Sequence, residues 1–341
     1  MKVVEQIVYG EPHSSVHCVE VDDPGAPGRG ELVIEIEAFP INPADVLALE
    51  GKYATRPPLP VVPGAESVAR VLAVGAEVQG FAVGDRVIPL SRANWVQRKR
   101  LRAQEVVKVP LADPLQLAML KVNPATAYLM LTRYAELRAG DLVIQNAANS
   151  GVGLAVIALA RRLGCRTVNV VRRESLAADL TARGADHVFV DGPDLAHRVR
   201  EAVGDARMPL AIDAVAGASC MRLAECLSDD GIVVNYGLLS GDPCIVHPDR
   251  TVFHGIRLVG FWLARELPAM PRDRLESLYA QLVGLVRDGT IATPVEATYP
   301  IEEIGAAVGH AAREQRRGKV LVTPNGPVDS ASLASSPAPA S

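Results

Sequence analysis

The chain has little that would mark a secreted, membrane-bound or nucleic-acid-binding protein. Its 341 residues include five cysteines, an odd number, and Cys18, Cys165, Cys220, Cys226 and Cys244 form no C-x-x-C pair. That argues against a disulfide framework or a cysteine-rich zinc site, and isolated thiols fit a reducing compartment. No apolar run approaches the ~20 residues needed to span a bilayer. Lys+Arg 35 against Asp+Glu 39 leaves a net charge of −4, so no large positive field exists to collect phosphates. Met1-Lys2-Val3-Val4 leads directly into folded-looking sequence, with no signal or transit peptide ahead of it. The expectation is a cytoplasmic enzyme of about two domains, with neither nucleic acid nor membrane as partner.

Up to about residue 118 the pattern is β-rich. Glu31–Ala38 and Ser67–Val74 alternate polar and apolar, as half-buried strands do, and Gly75 and Gly84-Asp85 mark turns. The rhythm changes near Asp113. Leu115–Leu137 is helix-compatible apart from Pro124. From Asp141 a strand–turn–helix pattern repeats. Strands are expected at 142–146, 167–171, 187–190, 210–213 and 231–235, and helices at 151–163 and 175–183, each stopped by a glycine. Alternating βαβ units imply a doubly wound parallel sheet with helices on both faces, an α/β fold. After Trp262 the pattern breaks again. Helices are expected over 272–288 and 302–314 and a strand at 319–322, returning to the first domain. The expected domains are therefore 1–118 with 266–326, and 119–265. Residues 327–341, rich in Ala, Ser and Pro, read as a disordered tail.

The strand at 142–146 runs into Asn146-Ala-Ala-Asn-Ser-Gly-Val-Gly153 and then a helix. This is the start of a dinucleotide-binding βαβ unit with an altered glycine motif. Ala148, Ser150 and Gly153 stand where the three glycines would be. Small residues let the backbone approach a pyrophosphate, and the helix N-terminus offers free N–H groups to it. Asn149, Ser150, Gly151, Val152 and Gly153 are the candidate contacts. The second strand ends at Arg172-Arg173 where an NAD-binding chain favours an acidic residue, which points to the 2′-phosphate of NADPH. The alternative is that both arginines are solvated loop charges, and Glu174 next to them would oppose phosphate.

At this point the chain resembles a medium-chain dehydrogenase/reductase without zinc, and most closely a 2-enoyl thioester reductase of the mitochondrial type. The resemblance is carried by Asn42-Pro-Ala-Asp45, Gly51-Lys-Tyr53, Val122-Asn-Pro-Ala-Thr-Ala-Tyr128, Gln145–Gly153, Asn169-Val-Val-Arg172 and Gly260-Phe-Trp-Leu263. It runs to about residue 325. It implies a β-rich GroES-like catalytic domain beside the Rossmann domain. It also implies NADPH as cofactor and an acyl thioester, on coenzyme A or acyl carrier protein, as substrate. The C2=C3 double bond would take hydride at the β-carbon and a proton at the α-carbon. Tyr53 is the implied proton donor or carbonyl polariser, since a phenol is protonated at neutral pH and can act as an acid. Asn42, Asn123, Thr126, Tyr236, Gly237, Phe261, Trp262 and Lys319 are the further candidate cofactor contacts. Trp262 otherwise lines the acyl channel or fills core, with core the default, and Asp45 and Glu66 are expected to support the fold.

Zinc-using relatives carry a cysteine in the segment matching Asn42–Asp45 and a Gly-His-Glu later. Here Pro43-Ala44-Asp45 and Gly64-Ala65-Glu66 stand there, so no metal is expected. The spacing of His13 and His17 does not suggest one either. Arg98-Lys-Arg100 and Arg102 are solvated charges or a surface for coenzyme A phosphates or acidic carrier protein. Pairing of cofactor domains through His247–Gly260 into a homodimer is implied by analogy. The competing readings are an NADPH:quinone or enone oxidoreductase and a catalytically idle NADPH-binding regulator.

Overall fold

A computed structural model describes residues 1–328, and every count given is of those residues. The strands are β1 (Lys2–Gln6), β2 (Val16–Glu20), β3 (Glu31–Pro40), β4 (Val68–Val74), β5 (Arg86–Pro89), β6 (Arg98–Arg102), β7 (Val106–Lys108), β8 (Leu142–Gln145), β9 (Arg166–Val171), β10 (His187–Val190), β11 (Leu210–Asp213), β12 (Ile232–Asn235), β13 (Arg257–Gly260), β14 (Val295–Tyr299) and β15 (Lys319–Val322). The helices are α1 (Pro43–Leu49), α2 (Pro114–Ala118), α3 (Asn123–Arg133), α4 (Gly151–Arg162), α5 (Ala177–Ala182), α6 (Leu195–Val203), α7 (Gly217–Cys226), α8 (Pro248–Val252), α9 (Leu263–Glu266), α10 (Arg272–Arg287) and α11 (Ile304–Ala312). No described helix is long and apolar enough to cross a membrane. The expected disordered tail lies, from residue 329 on, outside the described residues.

Two compact units divide the chain: Met1–Val122 with the chain from Pro271 on, and Asn123–Met270. In the first, a sheet of order β14-β15-β3-β4-β5-β7, with β6 also pairing β3, is joined by a β1–β2 ribbon. Leu32, Ile34 and Ile36 of β3 are buried in one core with Phe39, Trp95 and Val320. Phe39 and Trp95 stack at 5.6 Å, the offset geometry aromatic rings prefer. The arginine-rich stretch at 98–102 is not a bare charged loop. It forms β6, antiparallel to β3 from Glu31↔Arg102 to Glu35↔Arg98. Arg98 reaches Asp23 and Glu35, and Arg100 reaches Glu31.

The second unit is a six-stranded parallel sheet in the order β10-β9-β8-β11-β12-β13. Counting from β8, this is the strand order 3-2-1-4-5-6 of a doubly wound dinucleotide fold. Its central strands β8 and β11 are buried at every residue, as strands covered on both faces must be. The order reverses between β8 and β11, so the crevice outside their C-terminal ends is where such a sheet takes a ligand.

Candidate functional site

In the second unit, β8 feeds α4 through Asn146–Ser150. Ser150 has an extended backbone and caps α4, its Oγ accepting from the Gly153 N–H at 3.0 Å. This satisfies one of the N–H groups that a helix start leaves unpaired. A Cβ at Gly153 would lie 2.4 Å from the Ala148 carbonyl oxygen. The third glycine position therefore still does its work, letting the helix seat on the loop, although the first two glycines are absent. Asn149 is exposed, Gly151 half-buried and Val152 buried. Arg172 is exposed and Arg173 half-buried, immediately past the last residue of β9. These features suit a dinucleotide. A small-residue cradle and a helix N-terminus face the pyrophosphate position, and guanidinium groups stand at the end of the second strand.

Tyr236 follows β12, and its hydroxyl pairs with Ser150 while burial pushes the phenol up. A Cβ at Gly237 would lie 2.5 Å from the Ala214 carbonyl oxygen. Asn123 begins α3, buried, and its Nδ2 has no hydrogen-bond partner. A buried amide donor without a partner is a vacancy for an acceptor. Thr126 is buried one turn on. Phe261 is buried and packs edge-to-face on Tyr134 at 6.3 Å. Trp262 is 37% exposed, so the expectation that it fills core is corrected. It follows the end of edge strand β13, which no further strand covers.

Asn146, at the head of the nucleotide loop, and Asp213 and Asn235, neither of them a candidate from sequence, tie this end of the sheet together. Asp213 accepts from Asn146 Nδ2 at 2.6 Å and from Asn235 Nδ2 at 2.8 Å. It also accepts from the backbone N–H groups of Val215 and Ala216. Asn146 Oδ1 takes the Ala214 N–H. The C-terminal ends of β8, β11 and β12 are thus joined through one buried carboxylate. The available signal was a polar residue closing three otherwise apolar strands.

In the first unit, the register of β15 on β3 (Leu321↔Pro40) carries Lys319 alongside Asn42. Lys319 Nζ donates to Asn42 Oδ1 at 2.5 Å, and Asn42 Nδ2 donates to Glu66 Oε1 at 2.7 Å. Glu66 Oε2 accepts from the Val122 N–H at 2.8 Å. Lys121 Nζ donates to the carbonyls of Ala65 and Ser91. Asp45 accepts from the N–H groups of Asn42 and Ala65, closing the start of α1. All five side chains are buried. Burial raises Glu66 to about 7, against the pull of Asn42 and Lys319. Burial lowers Lys121 to about 7 and Lys319 to about 8, with Glu66 opposing both. Asp45 is likewise raised by burial.

These residues do not fit a metal ion. The site offers no thiol or imidazole, and Glu66 already faces two buried ammonium groups. Tyr53 is half-buried beyond α1, with the Arg92 guanidinium 5.9 Å from its ring centroid. Gly51 turns the chain into this loop at φ +73°, the left-handed region that glycine adopts readily.

The fold and the nucleotide loop place the chain in the medium-chain dehydrogenase/reductase class. Residues 28–108 match the alcohol dehydrogenase GroES-like domain, and residues 151–280 match the zinc-binding dehydrogenase family. The mitochondrial enoyl-[acyl-carrier-protein] reductase of Homo sapiens is 35% identical over 315 residues, covering 89% of this chain and 84% of that protein. The chain belongs to the enoyl-[acyl-carrier-protein] reductase family. Among solved structures, a Bacillus thuringiensis protein described as an NADPH:quinone reductase superposes with TM-score 0.86 at 28% identity, over 94% of this chain and 98% of that one. The Etr1p/NADP/crotonyl-CoA complex superposes with TM-score 0.82 at 25% identity, over 94% and 99%.

The cytoplasmic expectation is corrected. The relatives from Homo sapiens, Bos taurus and Arabidopsis thaliana are all named mitochondrial.

Proposed function

We infer that the protein is an NADPH-dependent 2-enoyl thioester reductase. The observation that carries this over the quinone reading is the 35% identity to an enoyl reductase across 89% of the chain. NADPH, when bound, supplies the hydride that the β-carbon of the conjugated thioester accepts. The chain's own residues supply the rest. The backbone N–H groups of Gly151 and Val152 hold the pyrophosphate, and Arg172 pairs with the 2′-phosphate. Asn123 and Thr126 offer polar groups to the nicotinamide end. Tyr53 donates the proton that completes reduction at the α-carbon. Charge developing on the thioester oxygen is stabilised by preplaced hydrogen-bond donors. The lack of thiol and imidazole around Glu66 supports a zinc-independent reaction. The acyl group is carried on coenzyme A or on acyl carrier protein, the carriers named for its relatives.

A homodimer is part of this reading. Edge strand β13 and the adjoining α8 expose Val252 (69%), Phe253 (80%) and Leu258 (41%). Neighbouring apolar side chains in the open are suited to a partner surface.

The test sets crotonyl-CoA and longer 2-enoyl-CoAs against a benzoquinone, each with NADPH. The expected outcome is a larger kcat/KM on the enoyl thioesters, reduced at least ~10-fold by Tyr53→Phe, the low end of the general-acid range. A larger value on the quinone would reverse the choice of substrate. An unchanged value in the variant would remove Tyr53 from the chemistry.

A further inference from the structure

Among the described residues, one group of three metal-capable side chains is Asp213, Cys220 and Cys244, which adds two thiols to the carboxylate that joins β8, β11 and β12. Asp213 ends β11, Cys220 lies on α7, and Cys244 lies in the loop after β12. A carboxylate oxygen and two Sγ atoms all lie within 4.8 Å of one another. Asp213 and Cys220 are buried, while Cys244 is partly exposed and gives solvent a route in. Cys220 pairs with both the carboxylate and the Cys244 sulfur.

We propose that Asp213, Cys220 and Cys244 form a binding site for one thiophilic divalent cation, of the zinc or cadmium type. Two thiolates on one tetrahedral ion, at Zn–S distances of ~2.3 Å, sit ~3.8 Å apart, about 1 Å inside the 4.8 Å that bounds the group. The observed spacing therefore needs only a small contraction, which the Cys244 loop can provide. Two thiolates select soft or borderline ions over magnesium or calcium. The dication displaces one proton from each thiol, both leaving to solvent, and forms two metal–sulfur bonds and one metal–oxygen bond. No electron is transferred.

The other cysteines offer no comparable set. Cys226 donates to the Arg222 carbonyl, and Cys18 and Cys165 have no place in the group. The site is separate from Glu66 and its lysines, which belong to the other unit.

Binding is read without NADPH or substrate, so its result is independent of the reductase assignment. The full chain, in chelator-free reducing buffer, is titrated with Co²⁺ and followed by thiolate-to-cobalt charge-transfer absorbance. One ion per chain is expected, displaced by Zn²⁺, and Zn²⁺ should raise Tm because the ion binds the folded state. Cys244→Ser and Cys220→Ala should each weaken binding at least ~10-fold, while Cys18→Ser leaves it unchanged. Absence of the band, or its persistence in the Cys220→Ala/Cys244→Ser double variant, would overturn the proposal. Should Cys220→Ala fail to fold by far-UV circular dichroism, Cys244→Ser on its partly exposed loop decides alone.

Discussion

At the residue scale, the proposed reading of NADPH rests on one side chain. Arg172 stands at the end of β9, where it can give a 2′-phosphate charge-assisted bonds, and NADH has no group there to receive them. Hydrogen bonds to charged groups contribute ~1.5–3 kcal/mol. Arg172→Ala should therefore raise the NADPH Kd by about 10- to 100-fold and leave the NADH Kd nearly unchanged, as read by fluorescence titration. An equal loss for both nucleotides would mean that Arg172 supports the loop rather than reading the phosphate. The buried Lys319–Asn42–Glu66 chain illustrates the opposite case. Each residue was visible in the sequence, and Asn42 and Lys319 could be named through the resemblance. Nothing in the sequence showed that these two would hold each other, because 277 residues separate them.

At the scale of elements, the seat of α4 on its loop depends on Gly153. Its missing Cβ leaves room for a carbonyl that would otherwise be 2.4 Å away. The obstacle is backbone, which cannot rotate aside as a flexible side chain would. Gly153→Ala should cost ~1–3 kcal/mol, in the range of overpacking, and lower Tm by several degrees while weakening NADPH binding. A Tm within error of the parent would show that the loop yields freely. Five of the six parallel strands of the second unit were legible because their apolar runs are bounded by glycine and helix, and β13 was not. Nor was β6. Arg98-Lys-Arg-Leu-Arg102 has one apolar residue among five, and it pairs because β3 offers glutamates beside it.

For the whole molecule, buried charges set the pH response, and the proposed homodimer is tested at the exposed edge of the parallel sheet. Glu66 is raised from 4.5 to about 7 on folding. Its contribution to stability is thus fully present below pH 4.5 and lost as pH rises through 7. Lys121 and Lys319 are lowered from 10.5, to about 7 and about 8. Their contributions are present above pH 10.5 and lost as pH falls through 8 and then 7. The opposing trends meet near neutrality. Denaturant unfolding from pH 5 to 7 should show stability falling with pH, and Glu66→Gln should flatten that fall. Identical slopes in the two proteins would refute the assignment. Phe253→Glu places a charge on the most exposed of the β13-side apolar groups. It should convert a dimer to a monomer in size-exclusion light scattering. A dimer that survives it would put the interface elsewhere.

Local pattern determined the βαβ order, the altered nucleotide loop and the basic end of the second strand. Periodicity, small residues and turn chemistry act over a few neighbours and can be read along one line. Folding alone decided that Asn146, Asp213 and Asn235 meet, that Lys319 lies against Asn42, and that two cysteines and an aspartate converge. Those contacts join residues from 7 to 277 positions apart. Strand register and burial, which no local pattern contains, bring them together and set their charge.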